Sequence, residues 1–228
     1  REGVHPRAHL KDFRGTLQAD GYSGFDGLYV EDRVREAACW AHARRKFYDL
    51  QVATRPPLAE EALTRIQKLY AIEERIRGKT PDVRREARLA DAVPLLQDLR
   101  QWLTATRAKV SAKSEFAAAI NYALNRWEAL TRYSEDGAIE IDNNAAERAL
   151  RGPVLSRKNF LFAGADSGGE RAAVLYTLLQ TAKLNDLDPE AYLRFVLERI
   201  AEHPSNRLAE LLPWHYAQMV KPDERPAA

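Results

Sequence analysis

Two acidic residues that lie far apart in the sequence are candidates for metal-dependent chemistry. Asp20 follows the short run GTLQA, which predicts a β-strand that delivers this aspartate to its carboxyl end. Glu147 lies in DNNAAERALR, which predicts a helix that opens at Asn143 and Asn144. Two carboxylates that meet beside arginines can hold two Mg²⁺ ions about 3.5–4 Å apart, which clamp the attacking and leaving oxygens of a phosphodiester. The long segment between the two acids must then leave and return to one place.

Glu147 also has a purely structural interpretation. Asn144 and Glu147 have the spacing of a capping box, in which two side chains satisfy free amides at a helix start. Glu147 and Arg151 have the spacing of a helical ion pair, which contributes about 0.3–0.5 kcal/mol. The residues alone leave the metal site and the helix cap both open.

Basic side chains form two groups, each of which follows a candidate acid or strand end. Within the groups they alternate with Phe or Gly rather than with acids, and this arrangement favours phosphate binding in a groove. A solvated helix face is the usual alternative for such runs. The two groups consist of Arg44, Arg45, Lys46, Arg148, Arg151, Arg157 and Lys158.

Cys39 and His42 form a C-x-x-H pair. No second pair of this kind lies nearby, so a structural zinc site is poorly supported. A Cys–His nucleophile remains an alternative, although the spacing across a strand-to-helix junction does not guarantee contact. The composition favours a buried cysteine with His42 as a local hydrogen-bond partner.

The stretch ADSGGE resembles the nucleophile loop of trypsin-like serine proteases. Those proteases are all-β and disulfide-bonded, whereas this chain has a helical pattern and a single cysteine. Ser167 and Glu170 instead have the spacing of a capping box, with Ser167 as the N-cap. The free amides of that helix start could still face an anion.

The composition limits the class of protein. Hydrophobic residues make up 45% and charged residues 30% of the 228 residues, so we expect a folded core with a charged surface. The net charge is only +2, and any anion site must therefore come from local clustering. The single cysteine excludes an intrachain disulfide and fits a reducing cytoplasm. No run approaches the roughly 20 apolar residues of a membrane span.

The pattern predicts an α/β protein that is predominantly helical. Strands are expected over 15–22 and 34–40, with a short helix or turn over 23–29 between them and a helix over 41–50. Residues 51–133 read as an all-helical insertion, in which Pro94 should kink or break a helix and Ser114 should cap one. The buried stripes of this insertion are predicted to contain Ala62, Ile66, Leu69, Ile76, Phe116, Ile120, Trp127 and Ala123 or Leu124.

After the insertion the pattern returns to short mixed elements. Strands are predicted over 138–141 and 159–164, and a long helix over 168–186. Asp188 and Pro189 should open the next helix as N-cap and first-turn proline. A last short helix is expected to end at Pro213, and residues 218–228 read as a flexible tail.

Long motifs resemble the transposases of the insertion sequence 66 family. They occur in order along nearly the whole chain. They are LQADGYSGFDGLY, REAACWAHARRKFYDL, RYSEDGAIEIDNNAAERALR, SRKNFLFAGADSGGERAAVLYTLLQTAKLNDLDPEAYL and HPSNRLAELLPW.

The resemblance implies a fold and an activity. The family's catalytic domain is RNase H-like and of the DDE type, and it cuts and joins DNA by phosphoryl transfer with two divalent ions, Mg²⁺ or Mn²⁺. On this likeness the chain would be a partial RNase H-like domain with a long all-helical insertion and C-terminal helices. The implied domains are 1–50 and 134–186 for the core, 51–133 for the insertion, 187–217 for the C-terminal helices and 218–228 for the tail.

The resemblance also assigns roles to residues. Asp20 matches the second acidic ligand and Glu147 the final glutamate. Cys39 and His42 match a C-x-x-H signature of transposases with a helical insertion. The paired asparagines Asn143 and Asn144 are assigned only to helix opening, and Arg148 and Arg151 would face DNA or order the acids.

One departure from the family pattern limits the expected activity. The first aspartate of the triad would lie on an earlier strand, and Asp12, in a polar leader, is a poor substitute. The family's N-terminal DNA-binding region is also absent from these residues. We therefore expect the chain to be the C-terminal part of a transposase and inactive by itself. A DNA-binding or assembly fragment that modulates a transposase, and a plain structural helical protein, are the alternatives.

The expected partners follow from the same likeness. They are the DNA of element ends and targets, other copies of the chain in a homo-oligomer, and accessory proteins of the element. No membrane partner is expected, and the expected location is the bacterial cytoplasm, associated with the nucleoid.

Overall fold

The computed structural model describes residues 3–30, 33–156 and 162–220. The chain forms two compact units, residues 1–145 and 146–228. None of the helices in these ranges combines the length and the apolar character that are needed to cross a bilayer.

The first unit contains a pair of parallel strands. Strand β1, Gly15–Ala19, pairs with β2, Val34–Ala38, in the register Gly15↔Val34 to Ala19↔Ala38. A parallel pair requires a crossover, and part of it is the 3₁₀ helix Ser23–Leu28. The predicted strands and the short helix between them are therefore confirmed.

Helices make up most of the rest of the first unit. The helix predicted over 41–50 is confirmed as part of α2, and the segment read as a helical insertion is helical as predicted. The bounds are α1 Val4–His9, α2 Trp40–Thr54, α3 Pro57–Arg75, α4 Pro81–Ala87, α5 Val93–Arg107, α6 Glu115–Asn125 and α7 Trp127–Thr131, followed by the 3₁₀ turn Arg132–Ser134.

One hydrophobic core joins the strands to the helical segment. Trp40 at the start of α2 packs edge-on against Trp127 with ring centroids 5.9 Å apart, and its indole N–H donates to the Leu130 carbonyl at 2.8 Å. Phe47 and Phe116 form a second edge-on pair at 5.8 Å. The predicted stripes are confirmed, since the following residues are all buried in this core: Ala62, Ile66, Leu69, Ile76, Phe116, Ile120, Ala123 and Trp127.

The cap predicted at Ser114 is confirmed, whereas Pro94 is accommodated by a wider helical turn. The Ser114 hydroxyl accepts from the Ala117 amide at 3.1 Å and caps α6. Pro94 is preceded by a π-helical turn, Arg88–Ala92, in which the Val93 amide donates to the Arg88 carbonyl. A proline lacks an amide proton and crowds the carbonyl four residues before it, and the wider turn accommodates this without ending the helix.

The segment 138–141 is not a strand, so that prediction is wrong. Its carbonyls are taken by side chains and by one distant amide instead of by a neighbouring strand. The Ile139 carbonyl accepts from the Arg88 guanidinium at 2.9 Å, and the Glu140 carbonyl accepts from the Gln18 amide at 2.6 Å. The Ile141 carbonyl accepts from the Trp40 backbone N–H at 3.1 Å. The alternating apolar pattern therefore marks a loop in which Ile141 is buried and Ile139 half-buried, whereas Ala138 and Glu140 are exposed.

The second unit is helical in the part that the structure describes. Its small core contains Ala182, Leu187 and Tyr192, and the Tyr192 hydroxyl donates to the Leu211 carbonyl at 2.9 Å. The helices are α8 Asn144–Ala149, which begins at the boundary between the units, α9 Arg151–Ser156, α10 Asp166–Leu184, α11 Pro189–Leu197 and α12 Pro213–Val220, with a 3₁₀ helix at Ser205–Leu211.

Predictions for the second unit had mixed outcomes. Asp188 caps α11 as predicted, because its carboxylate accepts from the Glu190 amide at 2.8 Å. Pro213 begins α12 rather than ending a helix, in keeping with the tolerance for proline at a first helical position. The predicted strand 159–164 lies mostly outside the described residues, and its described part, 162–164, is not strand.

The helix predicted over 168–186, with Ser167 as its N-cap, is confirmed as α10 but starts earlier, at Asp166. Ala165 is the N-cap in an extended conformation, and the amides of Gly168 and Gly169 donate to its carbonyl at 2.9 and 3.2 Å. A Cβ at Gly168 would lie 1.9 Å from the Ala163 carbonyl oxygen, so only glycine permits this close approach. The predicted N-cap role of Ser167 is therefore wrong.

Candidate functional site

Asp20 lies where the sequence predicted it, directly after β1. Its side chain is exposed, and its Oδ1 accepts from the Tyr22 amide at 3.1 Å. Gly21 has φ +76°, a conformation that glycine adopts at low cost, and this residue turns the chain away from the sheet. The turn leaves the carboxylate at the carboxyl end of a parallel strand, where ligands of α/β proteins commonly bind.

Helix α6 braces this turn. The Tyr122 hydroxyl contacts the Asp20 carbonyl at 3.4 Å, and Arg126 donates to the Gly21 carbonyl at 3.4 Å. A Cβ at Gly21 would lie 2.9 Å from Arg126 Nε, so the backbone and the guanidinium are close. The ammonium of Lys46 lies 4.5 Å from the centre of the Tyr122 ring. The helical segment therefore contacts the backbone that carries Asp20.

Cys39 is buried between β2 and α2. It occupies the N-cap position of α2, and its Sγ accepts from the Asn143 amide at 3.3 Å. Burial raises the pKa of the Cys39 thiol, so the neutral thiol is favoured over a nucleophilic thiolate. His42 is half-buried in the first turn of the same helix. The thiol therefore connects the start of α2 to the asparagine pair.

Asp142 organises the asparagine pair and was missed by sequence reasoning. Its carboxylate accepts from the Asn144 backbone amide at 3.1 Å, from the Asn144 side-chain amide at 2.8 Å and from the Tyr70 hydroxyl at 3.2 Å. The signal was the aspartate two residues before the first helical residue, a spacing at which Asp bonds a backbone amide. The predicted helix opening by Asn144 is thus made by Asp142, with Asn144 as the donor.

Glu147 is half-buried in the first turn of α8. The capping box predicted between Asn144 and Glu147 is wrong in its first member, since Asn144 is a helical residue whose side chain donates to Asp142. Arg148 in α8 and Arg151 at the start of α9 are exposed. Neither arginine forms a salt bridge with an acid in residues 3–30, 33–156 or 162–220, so both remain available to an anion.

The first basic group lies on α2. Arg45 and Lys46 are exposed, whereas Arg44 is half-buried with its guanidinium 5.7 Å from the centre of the Tyr48 ring. Arg157 and Lys158, from the second group, lie outside the described residues.

The chemistry of the acidic donors suits Mg²⁺ or Mn²⁺. Carboxylate oxygens are the ligands that these hard ions prefer. Asp20 is exposed and uses one oxygen for the Tyr22 amide, and within the described residues no hydrogen bond reaches its second oxygen. Asp20 and Glu147 both carry carboxylate oxygens of this type.

Comparisons with known proteins identify the family. A family profile described as "Transposase IS66 family" matches residues 1–171, and one described as "IS66 C-terminal element" matches residues 177–214. No solved structure matches the chain.

Relatives extend well beyond the matched region. "Uncharacterized protein y4hP" of Sinorhizobium fredii (strain NBRC 101917 / NGR234) is 43% identical over 232 residues, which cover 95% of this chain and 42% of that protein. "Uncharacterized protein y4qI" of the same organism is 41% identical, with 94% and 41% covered. "Uncharacterized protein YuaK" of Escherichia coli (strain K12) is 43% identical over 49 residues, 22% of this chain and 52% of that protein. The chain spans about two-fifths of the length of the Sinorhizobium relatives, and by its family match it belongs to the IS66 transposase family.

Proposed function

We propose that the protein that carries these residues cleaves DNA at the ends of an insertion sequence and joins it to a target by two-metal phosphoryl transfer. The observation that carries this proposal is the position of Asp20. This exposed carboxylate ends a parallel strand of a transposase-family chain and sits on a turn that α6 braces. A divalent ion is the ligand that an exposed carboxylate at such a strand end favours.

The strand pair supports an RNase H-like core. Isolated two-stranded sheets are marginally stable, and parallel sheets are normally buried on both faces. Strand β2 buries Val34, Ala37 and Ala38, whereas the first four residues of β1 are only half-buried. Strand β1 is thus the less covered of the two strands, and we place a further neighbouring strand beside it. We propose that such a neighbour carries the third acidic ligand, and we expect residues 1–228 alone to be inactive.

Asp20 and Glu147 are the proposed metal ligands. When bound, Mg²⁺ or Mn²⁺ lowers the pKa of the attacking water and neutralises charge at the phosphorus. The two carboxylates position these ions and do no covalent chemistry themselves. Cys39 and Asn143 support the segment that leads into α8, because the thiol accepts the Asn143 amide. His42 is proposed to have a supporting role beside them.

The reaction proceeds in two displacements. Water attacks the phosphodiester at an element end and releases a 3′-hydroxyl, which then attacks a phosphodiester of the target and displaces its 3′-oxygen. Both steps develop negative charge on non-bridging oxygens, and exposed guanidinium groups can stabilise that charge. The proposed DNA-binding side chains are Arg44, Arg45, Lys46, Arg148, Arg151, Arg157 and Lys158.

The partners are proposals as well. DNA is the substrate, and a homo-oligomer with accessory proteins of the element would hold two ends together. A cytoplasmic location associated with the nucleoid follows from that substrate.

Two conservative substitutions test the proposal. Asp20→Asn and Glu147→Gln keep the side-chain size but remove the charge that binds the ion. Each should abolish Mg²⁺- or Mn²⁺-dependent strand cleavage of an element end by the protein that carries residues 1–228, while the thermal unfolding temperature changes little. Arg77→Ala, in an exposed position after α3, is the matched control and should retain activity. Cleavage by Glu147→Gln at the unsubstituted rate would contradict the proposal.

A second function is favoured by the surface of the second unit. The exposed side chains of Leu150 and Phe162 line a cavity of about 610 Å³ together with Pro153, Tyr176 and others. Exposed apolar surface of this kind is typical of interaction sites. The alternative is a non-catalytic DNA-binding or assembly role, and it predicts that Glu147→Gln leaves the biological effect unchanged while Leu150→Asp abolishes assembly.

A further inference from the structure

A polar cavity of about 470 Å³ opens beside the N-terminal half of α2. It lies wholly within the first unit, between α2, α3 and the first residue of α8. The volume falls in the range of about 300–1,000 Å³ that is typical of small-ligand sites. Its lining consists of Ala41, Arg44, Arg45, Tyr48, Gln67, Tyr70 and Asn144.

The charge of the lining is positive. Arg44 and Arg45 supply two guanidinium groups, and no acidic side chain lines the cavity. In the described ranges neither arginine forms a salt bridge with a carboxylate. Arginine binds phosphate through paired N–H donors, so a phosphate group is the anion that this part of the cavity fits.

The cavity is also lined by two tyrosine side chains, Tyr48 and Tyr70. Tyr48 is 48% exposed, and the Arg44 guanidinium lies over its ring, 5.7 Å from the ring centre. Tyr70 is fixed by its hydrogen bond to Asp142 at 3.2 Å, and burial raises its pKa, so it remains a neutral phenol. Exposed tyrosine rings beside arginines are the usual platform on which unpaired bases stack.

Two side-chain amides complete the lining. The Asn144 amide nitrogen donates to Asp142 at 2.8 Å, which fixes the orientation of the amide and leaves its oxygen as an acceptor. Gln67 is exposed on α3 and offers both a donor and an acceptor. Asn and Gln pair with the edges of bases, adenine above all, through such donor–acceptor combinations.

We propose that this cavity binds one unstacked nucleotide of a DNA strand, with its phosphate on Arg44 and Arg45, its base on Tyr48 and its base edge on Gln67 and Asn144. A base-paired duplex cannot place a base in a cavity of this size, whereas a flipped or unpaired nucleotide can. The inference rests on the proposed function for its DNA substrate and adds a recognition site to it. Asn144 is the first residue of α8, the helix that also carries Glu147.

Binding measurements with the 228-residue chain test the proposal. The probes are a fluorescent duplex, the same duplex with one bulged adenine, and free dAMP as competitor, compared by fluorescence anisotropy at one salt concentration. The bulged duplex should bind at least about fivefold tighter than the matched duplex, in line with the contribution of one stacked base. Tyr48→Leu and Gln67→Ala should reduce that preference severalfold. Arg77→Ala is the exposed control and should keep it.

Photo-crosslinking locates the nucleotide independently of affinity. A bulged 5-iododeoxyuridine should crosslink to Tyr48, identified by mass spectrometry, and Tyr48→Leu should lose the crosslink. Equal affinity for bulged and matched duplexes, or crosslinks only outside the cavity, would overturn the proposal. Displacement of the bulged duplex by micromolar dAMP would assign the cavity to a free nucleotide and overturn it too. If the binding and crosslinking tests fail while Asp20→Asn and Glu147→Gln are inactive, the nucleotide site is refuted and the proposed function stands. If the two carboxylate variants are active, the proposed metal chemistry is refuted and the nucleotide site is not affected.

Discussion

Arg88 is the residue whose removal should most damage the first unit. Its guanidinium is fully buried, pairs with both oxygens of Glu73 at 2.8 and 2.6 Å, and donates to the carbonyls of Tyr133, Asp136 and Ile139 at 2.8–3.1 Å. Arg88→Met keeps the approximate length of the side chain and removes every one of these bonds. It also leaves a largely buried Glu73 carboxylate without its main partner.

The expected cost follows from that geometry. Removing one member of a buried ion pair costs about 3–5 kcal/mol, because the remaining charge is stranded. For a protein of 150–250 residues, about 2–4 °C of melting temperature is lost per kcal/mol, so a fall of roughly 6–20 °C is expected. The residual contact of Glu73 with Arg84 at 3.7 Å places the result toward the lower half of this range.

Thermal and urea unfolding followed by circular dichroism measure the effect. Arg75→Met is the matched control, since Arg75 pairs with Asp91 on the surface and such pairs contribute about 0–1 kcal/mol. Adding Glu73→Gln to Arg88→Met should recover part of the loss, because no charge then remains buried. Equal melting temperatures for Arg88→Met and Arg75→Met would refute the assignment of Arg88 as the anchor of segment 133–139.

Three further predictions follow from other contacts. Asp142→Ala removes three hydrogen bonds and should cost about 1–3 kcal/mol by urea unfolding, whereas Asp142→Asn, which keeps an acceptor, should cost less; equal losses would contradict the capping role. Asp188→Ala removes the N-cap of α11 and should cost about 0.5–2 kcal/mol, with hydrogen exchange increased in α11 first, and unchanged exchange there would count against it. Burial raises the pKa of Cys39 above its ordinary value of about 9, so the buried thiol contributes stability below pH 9. This contribution should decline as pH rises above 9, because the thiol of the unfolded chain ionises first. Cys39→Ala should make the free energy of unfolding depend less on pH in this range, and an unchanged pH dependence would contradict the prediction.

The sequence predicted elements well where local chemistry decides the outcome. Ser114 and Asp188 are N-caps because a side-chain oxygen next to a free amide needs no distant partner. Strands β1 and β2 were also predicted, since both are short β-compatible runs, and Gly21 ends the first of them.

The predictions that were wrong or incomplete depend on contacts that the local sequence does not show. Segment 138–141 looks like a strand, but its carbonyls accept from three distant residues, Gln18, Trp40 and Arg88, and no local pattern carries that information. Ser167 was wrongly predicted to be an N-cap from its spacing to Glu170. The helix starts earlier because the backbone brings Gly168 close to Ala163, and the sequence pattern does not show that backbone path. The polar cavity beside α2 is lined by three separate elements, and the sequence analysis singled out its arginines and Asn144 but neither its tyrosines nor Gln67.

The central claim is that Asp20 and Glu147 serve one metal site. Fe²⁺ with ascorbate and peroxide cuts a polypeptide near bound iron, so it maps the ligands of a Mg²⁺ site directly. In the protein that carries residues 1–228, we predict backbone cuts near residue 20 and near residue 147, both suppressed by excess Mg²⁺ and both lost in Asp20→Asn. Cuts near only one of the two acids, or cuts near residue 147 that persist in Asp20→Asn, would contradict the account.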